Sequence, residues 1–336
     1  MSEGNAIEAL ELRKSYGEDV VALDGLSFSV PAGTVFGLLG PNGAGKSTTV
    51  KILTTLAHPD GGSAKVAGHD ILAEPARVRE SIGVVSQAGG LDREATGREN
   101  LRLQGQVFGM GGRELERRID ELLEQFRLAD AGKRLVREYS GGMQRRLDVA
   151  QGLVHRPQVL FLDEPTTGLD PEVRAEMWDE IARLAGAGLT VLLTTHYLEE
   201  ADRLAAQLAI VDKGRVVAEG SPDALKRELR GDAIHIELGA ESAAEAAVRE
   251  ALARVDGLDE VIYDEDRVLH ARAEDGARTV PAVLAALDGA DLEVASVTVA
   301  RPSLDDVYLR FAGRTFGAAE GEEERRTDNE RKEAVR

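Results

Sequence analysis

Short apolar stretches of strand length recur along the first two thirds of the chain, and segments with helical periodicity separate them. Between about residues 95 and 155 the pattern becomes helical, with Leu115, Ile119 and Leu122 on one face of a predicted helix. Short strands that alternate with helices predict a mainly parallel α/β sheet, and the helical block predicts an inserted subdomain. The predicted strands are 6–13, 20–30, 34–39, 82–86, 159–162, 189–194 and 208–212, and the predicted helices outside the block are 48–56, 172–186 and 197–206.

A second pattern begins near residue 232, where Ile234, Ile236 and Leu238 alternate with polar residues. A helix, two strands, a helix and a strand are predicted to follow. This β-α-β-β-α-β order resembles a ferredoxin-like fold. The later elements of this unit are predicted at 242–254, 259–263, 267–273, 278–288 and 291–299.

These two patterns divide the chain into domains. We predict a first domain over 1–231, with its helical subdomain at about 95–155, and a C-terminal ferredoxin-like α+β domain over 232–316. Residues 317–336 contain almost no large apolar side chains, so we expect a disordered tail there.

A final helix is predicted from Ser303 to about residue 312. Ser303 suits an N-cap, Asp306 stands at the capping-box position, and Gly313 suits the helix end. Its apolar stripe consists of Leu304, Val307, Tyr308 and Phe311. Two interpretations of the stripe remain open: it packs on its own sheet, or part of it docks on the first domain or on a second subunit.

The composition excludes several kinds of function. The chain has no cysteine, which excludes disulfides and thiolate metal sites. Its 41 basic and 60 acidic residues give a net charge of −19, which disfavours nucleic-acid binding. Two explanations fit the acidic surface with few lysines. One is adaptation to a salty cytoplasm, and the other is a GC-rich genome, which favours arginine, alanine, glycine and glutamate. No apolar stretch approaches the ~18–20 residues of a membrane span, so we expect a soluble chain.

A phosphate-binding loop is predicted where the third strand leads into a helix. Its sequence GPNGAGKS fits G-x-x-x-x-G-K-[ST], a pattern in which glycines let backbone N–H groups turn towards phosphate oxygens. Lys46 is expected to reach the β and γ phosphates of ATP, and the Ser47 hydroxyl is expected to bind Mg²⁺. The predicted ATP-binding residues here are Gly40, Pro41, Asn42, Gly43, Ala44, Gly45, Lys46, Ser47 and Thr48.

Two carboxylates follow the apolar strand predicted at 159–162. Asp163 is expected to hold Mg²⁺, and Glu164 is placed to polarise the water that attacks ATP. Such a pair before Pro165 also suits a helix cap. Beside a phosphate-binding loop, however, the pair predicts nucleotide hydrolysis.

The segment SGGMQ at 140–144 opens a helix and resembles the signature motif of ABC transporter ATPases. In that family the motif contacts nucleotide held by the other subunit, so two composite sites form in a dimer. The resemblance implies that Ser140 and Gly142 contact ATP. This chain departs from the commonest pattern at Tyr139, where the family has Leu, and at Met143, where it has Gln.

Four further positions are similar to family motifs. Tyr16 resembles the aromatic residue that stacks on adenine, and Gln87 resembles the glutamine that links Mg²⁺ to the membrane partner. Asp170 lies in a segment that resembles the loop crossing the dimer interface. His196 follows a predicted strand and resembles the histidine that senses the γ-phosphate. The resemblance thus implies Lys46, Glu164 and His196 as catalytic residues, with Ser47, Gln87 and Asp163 at Mg²⁺.

A motif in the C-terminal domain indicates which subfamily of ABC ATPases the chain resembles. The segment SLDDVYL at 303–309 looks like the closing motif of daunorubicin-resistance-type exporter ATPases. That family implies an ATP-hydrolysing homodimer that powers a separate polytopic membrane permease. The expected cargo is a drug or another hydrophobic compound, and the expected location is the cytoplasmic face of the cell membrane.

Two alternative functions stay open at this point. One is a soluble ABC protein acting on ribosomes or DNA, although such proteins usually carry tandem cassettes or long coiled-coil insertions. The other is a regulatory module in which the ferredoxin-like domain senses a ligand.

Overall fold

A computed structural model describes residues 4–17, 20–87, 89–239, 245–253, 255–263 and 268–321. The chain divides into two compact units, Met1–Ser221 and Pro222–Arg336. This boundary lies ten residues before the one we predicted, because a short unpredicted helix, Pro222–Glu228, packs on the last helix of the second unit.

The first unit contains a six-stranded sheet, a four-stranded sheet and a block of helices. Its strands are β1 (Asn5–Tyr16), β2 (Val20–Pro31), β3 (Val35–Leu39), β4 (Gly61–Val66), β5 (His69–Asp70), β6 (Ile82–Val85), β7 (Val159–Asp163), β8 (Thr190–Thr195), β9 (Gln207–Asp212) and β10 (Arg215–Gly220). Its helices are α1 (Lys46–Leu53), α2 (Pro75–Ser81), α3 (Gly97–Val107), α4 (Gly112–Gln125), α5 (Gly141–Gly152), α6 (Pro171–Gly186) and α7 (Leu198–Leu204).

A six-stranded sheet with the order β10-β9-β3-β8-β7-β6 forms the centre of this unit. Neighbouring strands from β9 to β6 run parallel, and β10 pairs antiparallel with β9. Every residue of β3 and β8 is buried, as expected for parallel strands covered on both faces. The carboxyl ends of β3, β7 and β8 therefore lie at one edge of the sheet, where α/β proteins bind ligands.

The remaining elements complete the predicted architecture. An antiparallel sheet with the order β2-β1-β4-β5 shares a hydrophobic core with β3 and α1, and α3, α4 and α5 form the helical block. In α4, Leu115, Ile119 and Leu122 are all buried, as the helical periodicity predicted. The predicted α/β fold with an inserted helical block is confirmed.

Four elements of this unit escaped the sequence analysis: β4, β5, α2 and β10. The strand β4 begins with two glycines, which weaken any local strand signal, and it forms because its residues pair with β1. The strand β10 is likewise formed by a tertiary contact, its pairing with β9. Short elements of this kind depend on partners distant in sequence rather than on local pattern.

The second unit has the predicted ferredoxin-like order. Its elements are α8 (Pro222–Glu228), β11 (Asp232–Leu238), α9 (Glu245–Leu252), β12 (Leu258–Tyr263), β13 (Val268–Ala273), α10 (Gly276–Asp288), β14 (Val294–Ala300) and α11 (Leu304–Ala312). The strands form an antiparallel sheet with the order β12-β13-β11-β14. Ile234 and Ile236 share a buried core with Val248 of α9 and Val283 of α10, so both helices cover one face of the sheet.

The last helix, α11, begins with the predicted capping box and ends at Gly313 in the left-handed conformation. Three residues of its predicted stripe, including Tyr308, are buried within the described structure, whereas Phe311 is 40% exposed. Residues 316–321 are helical, and the Phe316 ring lies edge-on to Tyr308 with 5.0 Å between centroids. The start of the predicted disordered tail is therefore ordered by an apolar contact, while 322–336 lie outside the described residues.

No helix in the described part of the chain is both long enough and apolar enough to cross a membrane.

Candidate active site

The predicted phosphate-binding loop connects the end of β3 to the start of α1. Two of its glycines lie where a larger residue would collide with backbone. A Cβ on Gly45 (φ 105°) would lie 2.5 Å from the Ala22 carbonyl oxygen, and one on Gly40 would lie 2.3 Å from that of Val211. Glycine is therefore required at both positions, and the loop is held tightly between β2 and β9.

Lys46, the first residue of α1, is folded back over this loop. Its side chain is only 4% exposed, and Nζ donates hydrogen bonds to the carbonyl oxygens of Gly40 (2.6 Å) and Pro41 (3.0 Å). Nζ also lies 3.7 Å from Oε1 of Glu164. A single buried cation is thus held between the loop and a carboxylate, which is a geometry suited to binding phosphate.

Oxygen atoms from three elements meet beside Lys46. The Ser47 hydroxyl donates to Oδ1 of Asp163 at 3.2 Å, and the Thr194 hydroxyl donates to the same oxygen at 2.6 Å. These residues belong to α1, β7 and β8, so the parallel register of β7 and β8 brings Asp163 opposite Thr194. Hydroxyl and carboxylate oxygens are the ligands that Mg²⁺ prefers.

Glu164 lies at the centre of this arrangement and is 8% exposed. Gln87 Nε2 donates to its Oε2 at 3.1 Å, and the Thr167 hydroxyl donates to the same atom at 3.3 Å. His196 Nδ1 lies 3.4 Å from the other carboxylate oxygen. The His196 imidazole and the Lys46 charge hold the pKa of Glu164 below its usual value, against the opposing effect of burial. The carboxylate is therefore kept ionised.

The backbone of Glu164 is strained. Its φ of 49° places a non-glycine residue in the left-handed region, and its N–H donates to the carbonyl oxygen of Thr194 at 3.2 Å. Such a conformation persists only where surrounding contacts impose it, and it is frequent at active sites.

The other predicted site residues have different neighbours. Tyr16 is 43% exposed, with Lys14 Nζ 5.6 Å from its ring centroid. The Ser140 hydroxyl caps α5 by accepting from the Met143 N–H, and Asp170 caps α6 in the same way. A Cβ on Gly142 would lie 2.5 Å from the Val173 side chain. Direct contacts therefore group Lys46, Ser47, Gln87, Asp163, Glu164 and His196 in one cluster.

Comparison with known proteins agrees with this geometry. Residues 23–167 match the ABC transporter family, and residues 220–312 match the C-terminal domain of DrrA1-3-like ATP-binding proteins. The daunorubicin resistance ATP-binding protein DrrA3 of Streptomyces coeruleorubidus is 51% identical over 301 residues, which is 89% of this chain and 93% of that protein. The chain belongs to the ABC transporter ATP-binding family.

Other members of the family support the same assignment. The Nod factor export ATP-binding protein I of Sinorhizobium fredii is 42% identical over 92% of this chain and 86% of that protein. A solved dimer of the ATP-binding cassette MJ0796, in a post-hydrolysis state with ADP and phosphate bound, is 25% identical. It covers 64% of this chain and 98% of its own, with a TM-score of 0.59. The protein is thus an ABC ATPase that couples ATP hydrolysis to transport.

Two buried charged residues of this ABC ATPase escaped the sequence analysis. Arg145 of α5 is 9% exposed, and its guanidinium donates to carbonyl oxygens of Ser86 (2.9 Å), Pro165 (2.7 Å) and Glu164 (3.2 Å). Glu200 of α7 is fully buried, and it accepts hydrogen bonds from Thr166 and Trp178 at 2.9 Å each. The sequence held one indication that Arg145 is buried: it is a basic residue on the side of α5 that faces the core.

Replacing Arg145 with methionine should destabilise the protein. Methionine fills similar space but leaves several buried carbonyl oxygens without a donor, which should lower the free energy of unfolding by about 3 kcal/mol. Urea denaturation measures this loss. Arg145→Lys should restore only part of it, because one ammonium group lacks the planar fork of a guanidinium. Wild-type stability of Arg145→Met would show that these bonds do not hold α5 against the segments that follow β6 and β7.

Proposed function

We propose that this chain is the ATP-hydrolysing subunit of an exporter whose cargo is a drug or another hydrophobic compound. The observation that carries the proposal is the convergence of Lys46, Asp163 and Glu164 at the sheet edge. The cargo is inferred from relatives named for daunorubicin resistance and for Nod factor export, which this chain matches along most of its length. The comparisons give no support to a ribosome-associated, DNA-associated or ligand-sensing function.

We infer distinct roles for three residues of the cluster. Lys46 leaves the loop carbonyls to bind the β and γ phosphates of ATP, supplying positive charge where negative charge builds up. Glu164, kept ionised, orients and polarises the attacking water. His196 faces the Glu164 carboxylate oxygen that Gln87 does not contact. From there it contacts the γ-phosphate.

The same cluster fits Mg²⁺. Ser47 and Asp163 already place two oxygen atoms 3.2 Å apart, and the nitrogen end of the Gln87 amide, not its oxygen, faces Glu164. We infer that Ser47, Asp163 and Gln87 hold the ion. When bound there, Mg²⁺ would supply positive charge that neutralises the nucleotide phosphates.

Two copies of the chain are needed to complete each nucleotide site. Ser140 is exposed at the start of α5, where a helix N-terminus and backbone N–H groups suit an anion. We infer that Ser140 and Gly142 contact ATP held by the phosphate-binding loop of the partner, with Asp170 at the interface. The exposed ring of Tyr16 is available to stack on adenine. The solved dimer of a related cassette supports this arrangement.

The surface of α3 is the proposed contact for the membrane permease. Leu103 and Val107 are 59% and 71% exposed, and their spacing of four residues places them on one face of the helix. Gln87 follows β6, and the chain runs directly from there to α3. A permease that binds this face at the cytoplasmic side of the membrane would thus be connected to the nucleotide site through that segment.

Co-purification with a polytopic membrane protein tests the proposed function. Pairing should survive detergent extraction and should raise the ATPase rate of the chain. Leu103→Glu should weaken the pairing without changing the ATPase rate of the free chain, whereas Leu10→Glu, an equally exposed leucine on β1, should leave pairing intact. A chain that pairs with no membrane protein and hydrolyses ATP at a rate insensitive to membranes would contradict the proposal.

A further inference from the structure

Three side chains of the second unit form a compact cluster outside the nucleotide site. His235 of β11, His270 of β13 and Asp306 of α11 each offer one ligand atom, and these atoms all lie within 4.8 Å of one another. Among the residues that the structure describes, this is the one group of three or more histidine, aspartate or glutamate side chains so arranged. Nothing in the ATPase mechanism uses it.

The fold itself brings the two histidines together. β11 and β13 pair antiparallel in a register that places His235 directly opposite His270. Directly opposed residues in a sheet point to the same face. Because Ile234 and Ile236 face the core beneath α9 and α10, the intervening His235 lies on the opposite face of the sheet. The two rings are 5.0 Å apart between centroids.

Asp306 reaches this face from α11. Its Oδ1 lies 2.9 Å from His235 Nε2, and the residue is 9% exposed. Its other oxygen, Oδ2, accepts from the backbone N–H (2.8 Å) and the hydroxyl (2.6 Å) of Ser303. The capping box thus fixes the carboxylate and directs one oxygen at the histidine pair. Metal sites commonly orient a ligating side chain through such an outer hydrogen bond.

Nearby charges also suit a cation. Asp305, the residue before Asp306 on α11, places a second carboxyl group beside the cluster. Arg272 of β13 and Arg310 of α11 are each paired with Glu260, at 3.0 Å and 2.9 Å. Their positive charges are therefore partly neutralised by a carboxylate of β12.

We propose that His235, His270 and Asp306 bind a Zn²⁺ ion that ties α11 to the sheet of the second unit. Two imidazoles and one carboxylate suit Zn²⁺, whereas Ca²⁺ and Mg²⁺ prefer oxygen ligands alone. A tetrahedral ion with bonds of about 2.1 Å needs ligand atoms about 3.4 Å apart, so small side-chain rotations close the site. Water completes the fourth position.

Zinc binding to the untagged full-length chain tests the proposal. After metal is removed with EDTA and without nucleotide present, calorimetry and elemental analysis should find one Zn²⁺ per chain. His270→Gln should weaken binding by at least on the order of 100-fold. His58→Gln, at an exposed histidine of the first unit, is the matched control and should bind Zn²⁺ as the wild type does.

His270→Gln also separates the metal site from a simple ion pair. This change leaves the His235–Asp306 hydrogen bond intact. If the cluster were only an ion pair, any zinc on the chain would bind elsewhere, and His270→Gln would not change the zinc affinity. Unchanged zinc binding in a folded His270→Gln chain overturns the proposal, and so does loss of zinc in His196→Gln alone, which would place the ion at the nucleotide site.

A spectroscopic measurement on the wild type covers the case in which His270→Gln does not fold. Co²⁺ bound in place of Zn²⁺ should give the intense visible absorption of a four-coordinate ion, and Asp306→Asn or His235→Gln should abolish it. A weak spectrum typical of six-coordinate Co²⁺ in the wild type would overturn the proposal.

Discussion

Lys46→Ala is expected to remove most ATP binding and to lower ATP hydrolysis by about 10²–10³-fold. The ammonium group of Lys46 is buried between the loop carbonyls and Glu164. The segment GPNGAGKS contains no other basic residue, so no other side chain of the loop can replace this positive charge. Nucleotide titration and phosphate release should fall together. The matched control is Lys51→Ala on the exposed side of the same helix, which should change neither. Normal turnover by Lys46→Ala would mean that this loop does not hold ATP.

Glu164→Gln is expected to bind ATP and to hydrolyse it about 10²–10⁴-fold more slowly. The amide keeps the shape of the carboxylate but loses the negative charge that the contacts with Lys46 and His196 stabilise. With hydrolysis blocked, ATP should hold two chains together, which light scattering detects as a doubled mass. Glu199→Gln, on the exposed surface of α7, should hydrolyse ATP normally. A Glu164→Gln chain with wild-type turnover would remove this residue from the catalytic role.

The parts of the site that the sequence predicted are those encoded by short continuous segments. The loop from Gly40 to Ser47 and the strand that ends in Asp163 each combine an apolar strand with a fixed polar pattern. The pairing order of the parallel strands then decides that these segments meet, and a β-α alternation strongly constrains that order. For this reason the positions of Asp163 and Glu164 relative to Lys46 could be anticipated.

Other features depend on contacts that no local pattern records. Arg145 is tolerated in the interior because four carbonyl groups distant in sequence accept hydrogen bonds from its guanidinium. The pairing of His235 with His270 requires the register of β11 with β13, and a shift of one residue would separate the two side chains. The helical turn that starts at Phe316 was missed because it depends on tertiary contacts: the Phe316 ring packs on Tyr308, and its N–H donates to Asp305.

A mixing experiment tests the central claim that two chains share each nucleotide site. Lys46→Ala carries an intact signature segment, and Ser140→Arg carries an intact phosphate-binding loop; Ser140 is exposed, so arginine there should not disturb folding. The account predicts that each variant alone is inactive and that an equal mixture regains about a quarter of wild-type turnover, because one in four sites then has both halves intact. Full ATPase activity of Ser140→Arg by itself would contradict the account, since the site would then be complete within one chain.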